Sequence, residues 1–247
     1  SKEWSGILKL SNKSLQNTKL DYQALVNYID GRRTNWAFRY DPDGLSTQTT
    51  FSISHGLDIT QTLSETSYLD FSFRQNYLEY EDYAYENVYD PRYDAAGPPR
   101  TDFIYEPGAV IQGIDFTRFE QMTNAYLFKS VFVTQLSPEH QLKLGGELHL
   151  PRVAFGTPGH LVYATEGGQD ETLVRHVNEP PDYPGVNAYY PFIAAGFVQE
   201  QTELEDLTLR AGLRLDYFDA RSNIPSDLAN PCLLYTSDAA DEEDSVD

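Results

Sequence analysis

The sequence is poor in cysteine, methionine and cations: one Cys, one Met, and 18 Lys and Arg against 38 Asp and Glu in 247 residues, a formal charge of −20. A single thiol excludes a disulfide framework or thiolate metal centre built within the chain. The acidic balance excludes a binder of duplex DNA, whose phosphates attract Lys and Arg and repel such a surface. No run approaches the roughly 18 to 20 apolar residues of a membrane helix, and mean hydropathy is −0.51, so a helical membrane protein is excluded as well. Neither a Gly-rich phosphate loop nor a nucleophile elbow is present. No enzyme activity and no cofactor are therefore expected.

What is abundant is aromatic: 18 Tyr and 13 Phe, with many Thr and Ser, a composition that suits pleated strands. The fold class expected is all-β. Phe51, Ile53, Leu57 and Ile59 alternate with Ser52, Ser54, Gly56, Asp58 and Thr60, the period of a half-buried strand. The pattern resumes after Leu63-Ser64-Glu65-Thr66, with Leu69, Phe71, Phe73 and Tyr77 opposed to Asp70, Ser72, Arg74 and Asn76. The sharpest case sets Leu207, Leu209, Ala211, Leu213, Leu215 and Tyr217 against Thr208, Arg210, Gly212, Arg214 and Asp216, about the length that crosses a bilayer when tilted.

Four hairpins are predicted. Trp4 to Asn12 pairs with Leu20 to Ile29, the two strands just described pair, Tyr126 to Gln135 pairs with Leu142 to Leu150, and Phe192 to Gln201 pairs with Leu207 to Tyr217. Between them lie long connections, Asp30 to Thr47, Glu79 to about Asn124, and Pro151 to Pro191. A soluble sandwich uses connections of about 2 to 6 residues at both ends, whereas an outer-membrane barrel has short periplasmic turns and long outer loops. Hydrocarbon cannot satisfy backbone N–H and C=O groups, so a membrane sheet closes on itself and places its loops outside. The expectation is an antiparallel meander of about eight strands that forms an incomplete section of a large transmembrane β-barrel. Eight strands closing alone would leave a lumen filled by side chains.

Three motifs carry a family resemblance: Thr50 to Gly56 running into Leu63 to Ser72, Val131 to Leu136 leading through His140 to Lys143 into Gly145-Gly146-Glu147, and Phe197-Val198-Gln199-Glu200 followed by Leu207 to Phe218. Together they resemble the barrel of TonB-dependent outer-membrane receptors, of the type that begins with a carboxypeptidase-regulatory-like domain. Glu200 stands where that family usually has Asp. The resemblance implies a 22-stranded barrel in the bacterial outer membrane, with lipid around it. It also implies TonB-coupled uptake of a small, scarce nutrient, with TonB engaging an N-terminal plug region absent from these residues. The chain starts mid-pattern at Ser1-Lys2-Glu3-Trp4, as a cut piece would. The other architecture open to the sequence is a secreted all-β carbohydrate-binding module, with Leu207 to Tyr217 packed in a dry core.

Residues 1–231 are read as the partial barrel. From Cys232 the sequence Cys-Leu-Leu-Tyr-Thr-Ser-Asp-Ala-Ala-Asp resembles a translated sequencing adapter, so 232–247 is expected to be a non-native tail without defined structure; a natural acidic tail is the alternative. Its six acids, with no base, account for the step from −20 to −14.

His55, His140, His149, His160 and His176 lack metal-site spacing and are read as solvated. Asp41-Pro42-Asp43-Gly44 reads as a turn, without the ligand series of a calcium loop. The run Tyr77, Tyr80, Tyr83, Tyr85, Tyr89 and Tyr93, interleaved with Glu79, Glu81, Asp82 and Glu86, reads either as a ligand-stacking surface or as an aromatic girdle and solvated loop. Tyr89, Arg92 and Tyr93 are the candidate ligand contacts, since binding residues gather on loops held by a rigid scaffold.

Overall fold

A computed structural model describes residues 1–104, 106–165, 171–176, 185–222, 224–227 and 230–235. In chain order the strands are β1 (Lys2–Asn12), β2 (Thr18–Gly31), β3 (Thr47–Ser64) and β4 (Ser67–Tyr83), then β5 (Arg100–Asp102) and β6 (Ala109–Gln112), then β7 (Phe119–Gln135) and β8 (His140–Gly156). The series continues with β9 (His160–Thr165), β10 (Glu171–His176), β11 (Asn187–Tyr189), β12 (Phe192–Leu204), β13 (Leu207–Asp219), β14 (Ile224–Asp227) and β15 (Asn230–Tyr235). One short helix, α1 (Pro91–Ala96), and two 3-10 turns, Trp36–Phe38 and Pro42–Gly44, lie in the connections.

The protein is all-β. One antiparallel meander runs in the order β1-β2-β3-β4-β7-β8-β12-β13, with β11 pairing β8 past the end of β12. All four predicted hairpins form across the expected turns. The sheet is open, with β1 and β13 as its edges.

Through the middle of the sheet the register sorts apolar from polar residues across all eight strands. Leu10, Tyr22, Leu57, Phe73, Phe128, Leu148, Ala194 and Tyr217 fall in one continuous row. One residue along, on the opposite face, the row reads Ser11, Asp21, Asp58, Ser72, Lys129, Glu147, Ala195 and Asp216. A slip of one residue in any pair would interrupt both rows, because successive side chains point to opposite faces.

Nothing in the described chain covers the apolar face at its β13 end, where Leu209, Leu213 and Leu215 are 58%, 76% and 82% exposed. The polar face is cross-linked instead. Asp58 accepts from Arg74 at 2.7 Å and from Ser72 at 2.5 Å, Thr60 donates to Asp70 at 2.7 Å, and Lys19 pairs with Asp21 at 2.5 Å. Gly145 is required by a close approach: a Cβ there would meet the Phe197 ring of the neighbouring strand at 2.3 Å.

The strand boundaries and the tail both differ from the sequence reading. Pro151 to Gly156, expected in the third connection, continue β8 in register with Glu120 to Ala125 of β7. Glu79 to Tyr83 and Phe119 to Asn124, expected in a loop, continue β4 and β7 in register with each other and with Thr47 to Phe51. Tyr77, Tyr80 and Tyr83 are thus strand residues. Ladder hydrogen bonds hold an extended chain whatever the polarity of its side chains, so charged alternation does not end a strand. The second difference is in the tail. Residues 232–235 belong to β15, which pairs with β14 in a two-stranded ladder separate from the main sheet. The run Cys232-Leu233-Leu234-Tyr235 has the apolar and aromatic character that pairs as a strand. Residues 236–247 lie outside the described residues.

Candidate functional site

At the end of the sheet opposite the tight turns, described residues of the connections 32–46, 84–118 and 157–191 pack together in two small cores. One contains Phe38, Leu45 and Val110; the other contains Tyr93, Ile114 and Leu161, with Tyr85, Val88, Phe116 and Leu173 packed on it. The β5-β6 and β9-β10 hairpins stiffen the two longer connections.

Arg118 ties this cap together. Its side chain is 6% exposed, and it donates to Pro158 O at 2.7 Å, Tyr85 O and Glu86 O at 2.5 Å each, and the Tyr93 hydroxyl at 3.0 Å. Its guanidinium also lies 5.2 Å from the Tyr83 ring centroid. A buried cation persists only where its protons are matched by acceptors, and here loop carbonyls from two connections provide them. Arg175 does similar work nearby, donating to Val88 O at 2.9 Å and pairing with Asp94. Sequence reasoning missed both arginines, and the available signal was weak: isolated cations in acidic, aromatic loops whose carbonyls lack ladder partners.

The three candidate ligand contacts differ in burial and bonding. Tyr89 is 59% exposed, with Arg175 over its ring at 5.9 Å. Arg92 reaches solvent but is engaged: it forms two bonds to Asp90, at 2.9 and 2.7 Å, and sits 3.7 Å over the Tyr85 ring centroid. Tyr93 is fully buried. Its hydroxyl donates to Tyr85 O at 2.9 Å and accepts from Tyr85 N at 3.0 Å. It is a core residue of the cap and presents no surface to a ligand.

Asp90 caps α1 by accepting from Arg92 N at 2.9 Å. The Arg92 side-chain and backbone bonds hold its carboxyl down at about 2. The sign follows from that depression: the contribution is complete above the unfolded value near 4 and fades as pH falls toward 2. A carbon-detected NMR titration is expected to find the Asp90 midpoint near 2, with the Arg92 contact intact at mildly acidic pH. A midpoint near 4 would contradict the observed pairing.

Other sequence candidates resolve simply. Glu81 and Asp82 point to opposite faces of β4, so they make no carboxylate pair; Asp82 is buried and paired with Arg33. His55 is half-buried and has a protein partner. It bonds Gln75 at 3.0 Å, and Gln75 donates to Asn124 at 2.9 Å and Tyr126 at 3.2 Å, so polar groups on the apolar face satisfy one another. His140 contacts Glu200 at 2.9 Å beside a tight turn. Asp41 to Gly44 is a 3-10 turn closed by Gly44 N donating to Asp41 O at 3.1 Å. No metal-binding group of His, Cys, Asp and Glu occurs among the described residues. The polar face holds a trough of about 550 Å³ lined by Asp58, Asp70, Arg74, Lys129 and Lys143, with Val131 and Val133 at its floor.

Comparison with known proteins finds no matching family model, no matching curated protein and no matching solved structure.

Proposed function

We propose that this chain is a section of an outer-membrane receptor barrel that takes up a small nutrient by TonB-coupled transport, with the cap as its outer, ligand-facing side. The observation that carries the reading is the uncovered apolar face beside a cap with cores of its own. A soluble module would pack Leu207 to Tyr217 into a dry interior, whereas here Leu213 and Leu215 are among the most exposed apolar residues of the chain. Exposing a continuous apolar row to water across eight strands is unfavourable at about 25 cal/mol per Å², and lipid removes that cost.

Strand length supports the same arrangement. A strand of 17 residues tilted by about 45° rises about 40 Å, against an apolar band about 25 Å tall. The outer third of β4 and β7 then stands clear of the membrane, which accounts for Glu79, Glu81 and Glu120 following Phe71, Phe73 and Phe128 on the same face. The open edges β1 and β13 are where further strands of the full barrel would pair.

Sidedness is tested with single cysteines introduced into a cysteine-free background of the full-length protein on intact cells. A membrane-impermeant maleimide is expected to label Tyr89→Cys and Phe103→Cys, both on exposed cap positions, but not Glu65→Cys or Glu205→Cys in the tight turns. The reverse labelling would invert the topology and remove the cap from consideration as the ligand side.

A further inference from the structure

The second connection leaves the sheet and returns to it at one place. β4 ends at Tyr83 and β7 begins at Phe119, and the last two rungs of their ladder are Glu81 opposite Glu120 and Asp82 opposite Phe119. The two rungs differ in how their charge is met. Asp82, on the polar face, pairs with Arg33 of the first connection. Glu81 and Glu120, on the other face, stand directly across from each other, and neither forms an ion pair among the described residues. Like charges in that position are destabilising, because the Cβ atoms lie only about 5 Å apart.

The surroundings relieve little of this. Thr49 of β3 and Gly156 of β8, the next residues across, carry no charge. Glu79 lies two residues along the same face of β4, and Glu86 adds a further acid from the second connection. Arg118, two residues before Glu120, already gives its protons to Pro158 O, Tyr85 O, Glu86 O and the Tyr93 hydroxyl. Arg152 of β8 and Tyr77 share with Glu79, Glu81 and Glu120 a groove of about 260 Å³, but the Arg152 guanidinium also sits 5.7 Å from the Tyr190 ring centroid. Tyr83 is kept a neutral hydroxyl by burial and by the nearby Glu81. Burial first, and the Glu81 charge second, raise the Glu120 carboxyl above its ordinary value, with Arg118 opposing.

We propose that Glu81 and Glu120 hold one proton between them and act as a proton-operated clamp at the feet of the second connection, closed while the proton is bound and loosened when it leaves. With one carboxyl neutral, it donates to the other and draws the ends of β4 and β7 together. With both ionised, repulsion falls on the rung beside the cap, where the Arg118 guanidinium lies 5.2 Å from the Tyr83 ring centroid. The proton comes from solvent and returns to it. Because the folded chain holds that proton more tightly, its contribution to stability is complete below the ordinary value of 4.5 and is lost as pH rises through the raised one. Asp90 has the opposite sign, but its contribution fades only in stronger acid. The cap is therefore tightest in mild acid. This inference goes beyond the transport reading and needs no lipid, since both carboxylates lie on the ends of β4 and β7 that stand clear of the membrane in that reading.

The test is hydrogen exchange of the full-length protein in detergent, corrected for the intrinsic pH dependence of exchange. Tyr93 and Ile114 report on the cap, since their amides donate to Asp90 O and Gly97 O. Their protection is expected to fall about threefold or more between pH 4.5 and about pH 8, while protection at Val26 and Leu57 holds. Glu120→Gln and Glu81→Gln should each abolish the dependence and leave the cap protected at both pH values. Glu65→Gln, in a tight turn, should leave it unchanged. Carbon-detected NMR should place the Glu120 midpoint above the ordinary glutamate range and see it drop in Glu81→Gln. Flat protection in the native chain, a slope that survives both Gln variants, or an ordinary Glu120 midpoint would overturn the clamp. So would loss of β4 and β7 protection in both variants, which would make the pair a plain requirement of the ladder. Calcium restoring the acid-like protection at neutral pH would also overturn it, by making a metal ion the closing species.

Discussion

Replacing Leu213 with arginine is expected to lower the stability of the full-length protein in phospholipid vesicles by about 2 to 4 kcal/mol, the cost of a cation near the bilayer midplane on a barrel's lipid face. Leu213 sits in the middle of β13 at 76% exposure, in a row with Val198, Leu144, Phe132 and Leu69. Were that face in water, an exposed substitution would stay within about ±0.5 kcal/mol. Thr208→Arg, on the polar face of the same strand, is the control and is expected to do just that. Urea unfolding of both variants decides the matter. Equal and small effects would mean that water, not lipid, covers Leu213.

Arg118→Met is expected to unfold the cap while leaving the sheet in place. The change keeps apolar bulk but removes the Arg118 donors to Pro158 O, Glu86 O, Tyr85 O and the Tyr93 hydroxyl, the last two keeping only their bonds to each other's residue. Buried acceptors left without a partner cost about 1 to 3 kcal/mol each. The small cores around Tyr93 and Phe38 have little apolar burial with which to offset that loss. Limited proteolysis is expected to cut between residues 84 and 118 at least tenfold faster, and hydrogen exchange should lose protection at Tyr93 and Ile114. Protection in β4 and β7 should persist, because their ladders do not depend on the cap. A cap that stays resistant to protease would show that the apolar clusters alone hold it.

Much of the sheet was legible residue by residue. Period-two alternation in Phe51 to Ile59 and Leu207 to Tyr217 identifies strands and their faces because a strand's side chains necessarily alternate. Tight turns such as Glu65-Thr66 identify the pairings because a hairpin joins neighbours. The cap was not legible. Tyr89, Arg92 and Tyr93 look alike in sequence as aromatic and cationic loop residues, yet one is exposed, one is bonded to Asp90 and one is fully buried. The burial of Tyr93 depends on Arg118, Leu161 and Ile114, which lie 20 or more positions away and approach only when the second and third connections meet.

The all-β character, the four hairpins, the meander, and the two faces of the strands around Phe51, Leu69 and Leu207 follow from the order of residues alone. These are local properties, set by side-chain period and turn chemistry. The length of β4 and β7, the common register of two rows of opposite chemistry over eight strands, and the sorting of Tyr93 into the core with Trp36 and Tyr40 at the surface emerge only in the folded chain. Those outcomes depend on which distant backbone and side-chain groups satisfy one another, and hydrogen bonding and burial between remote segments leave no periodic trace in a single sequence.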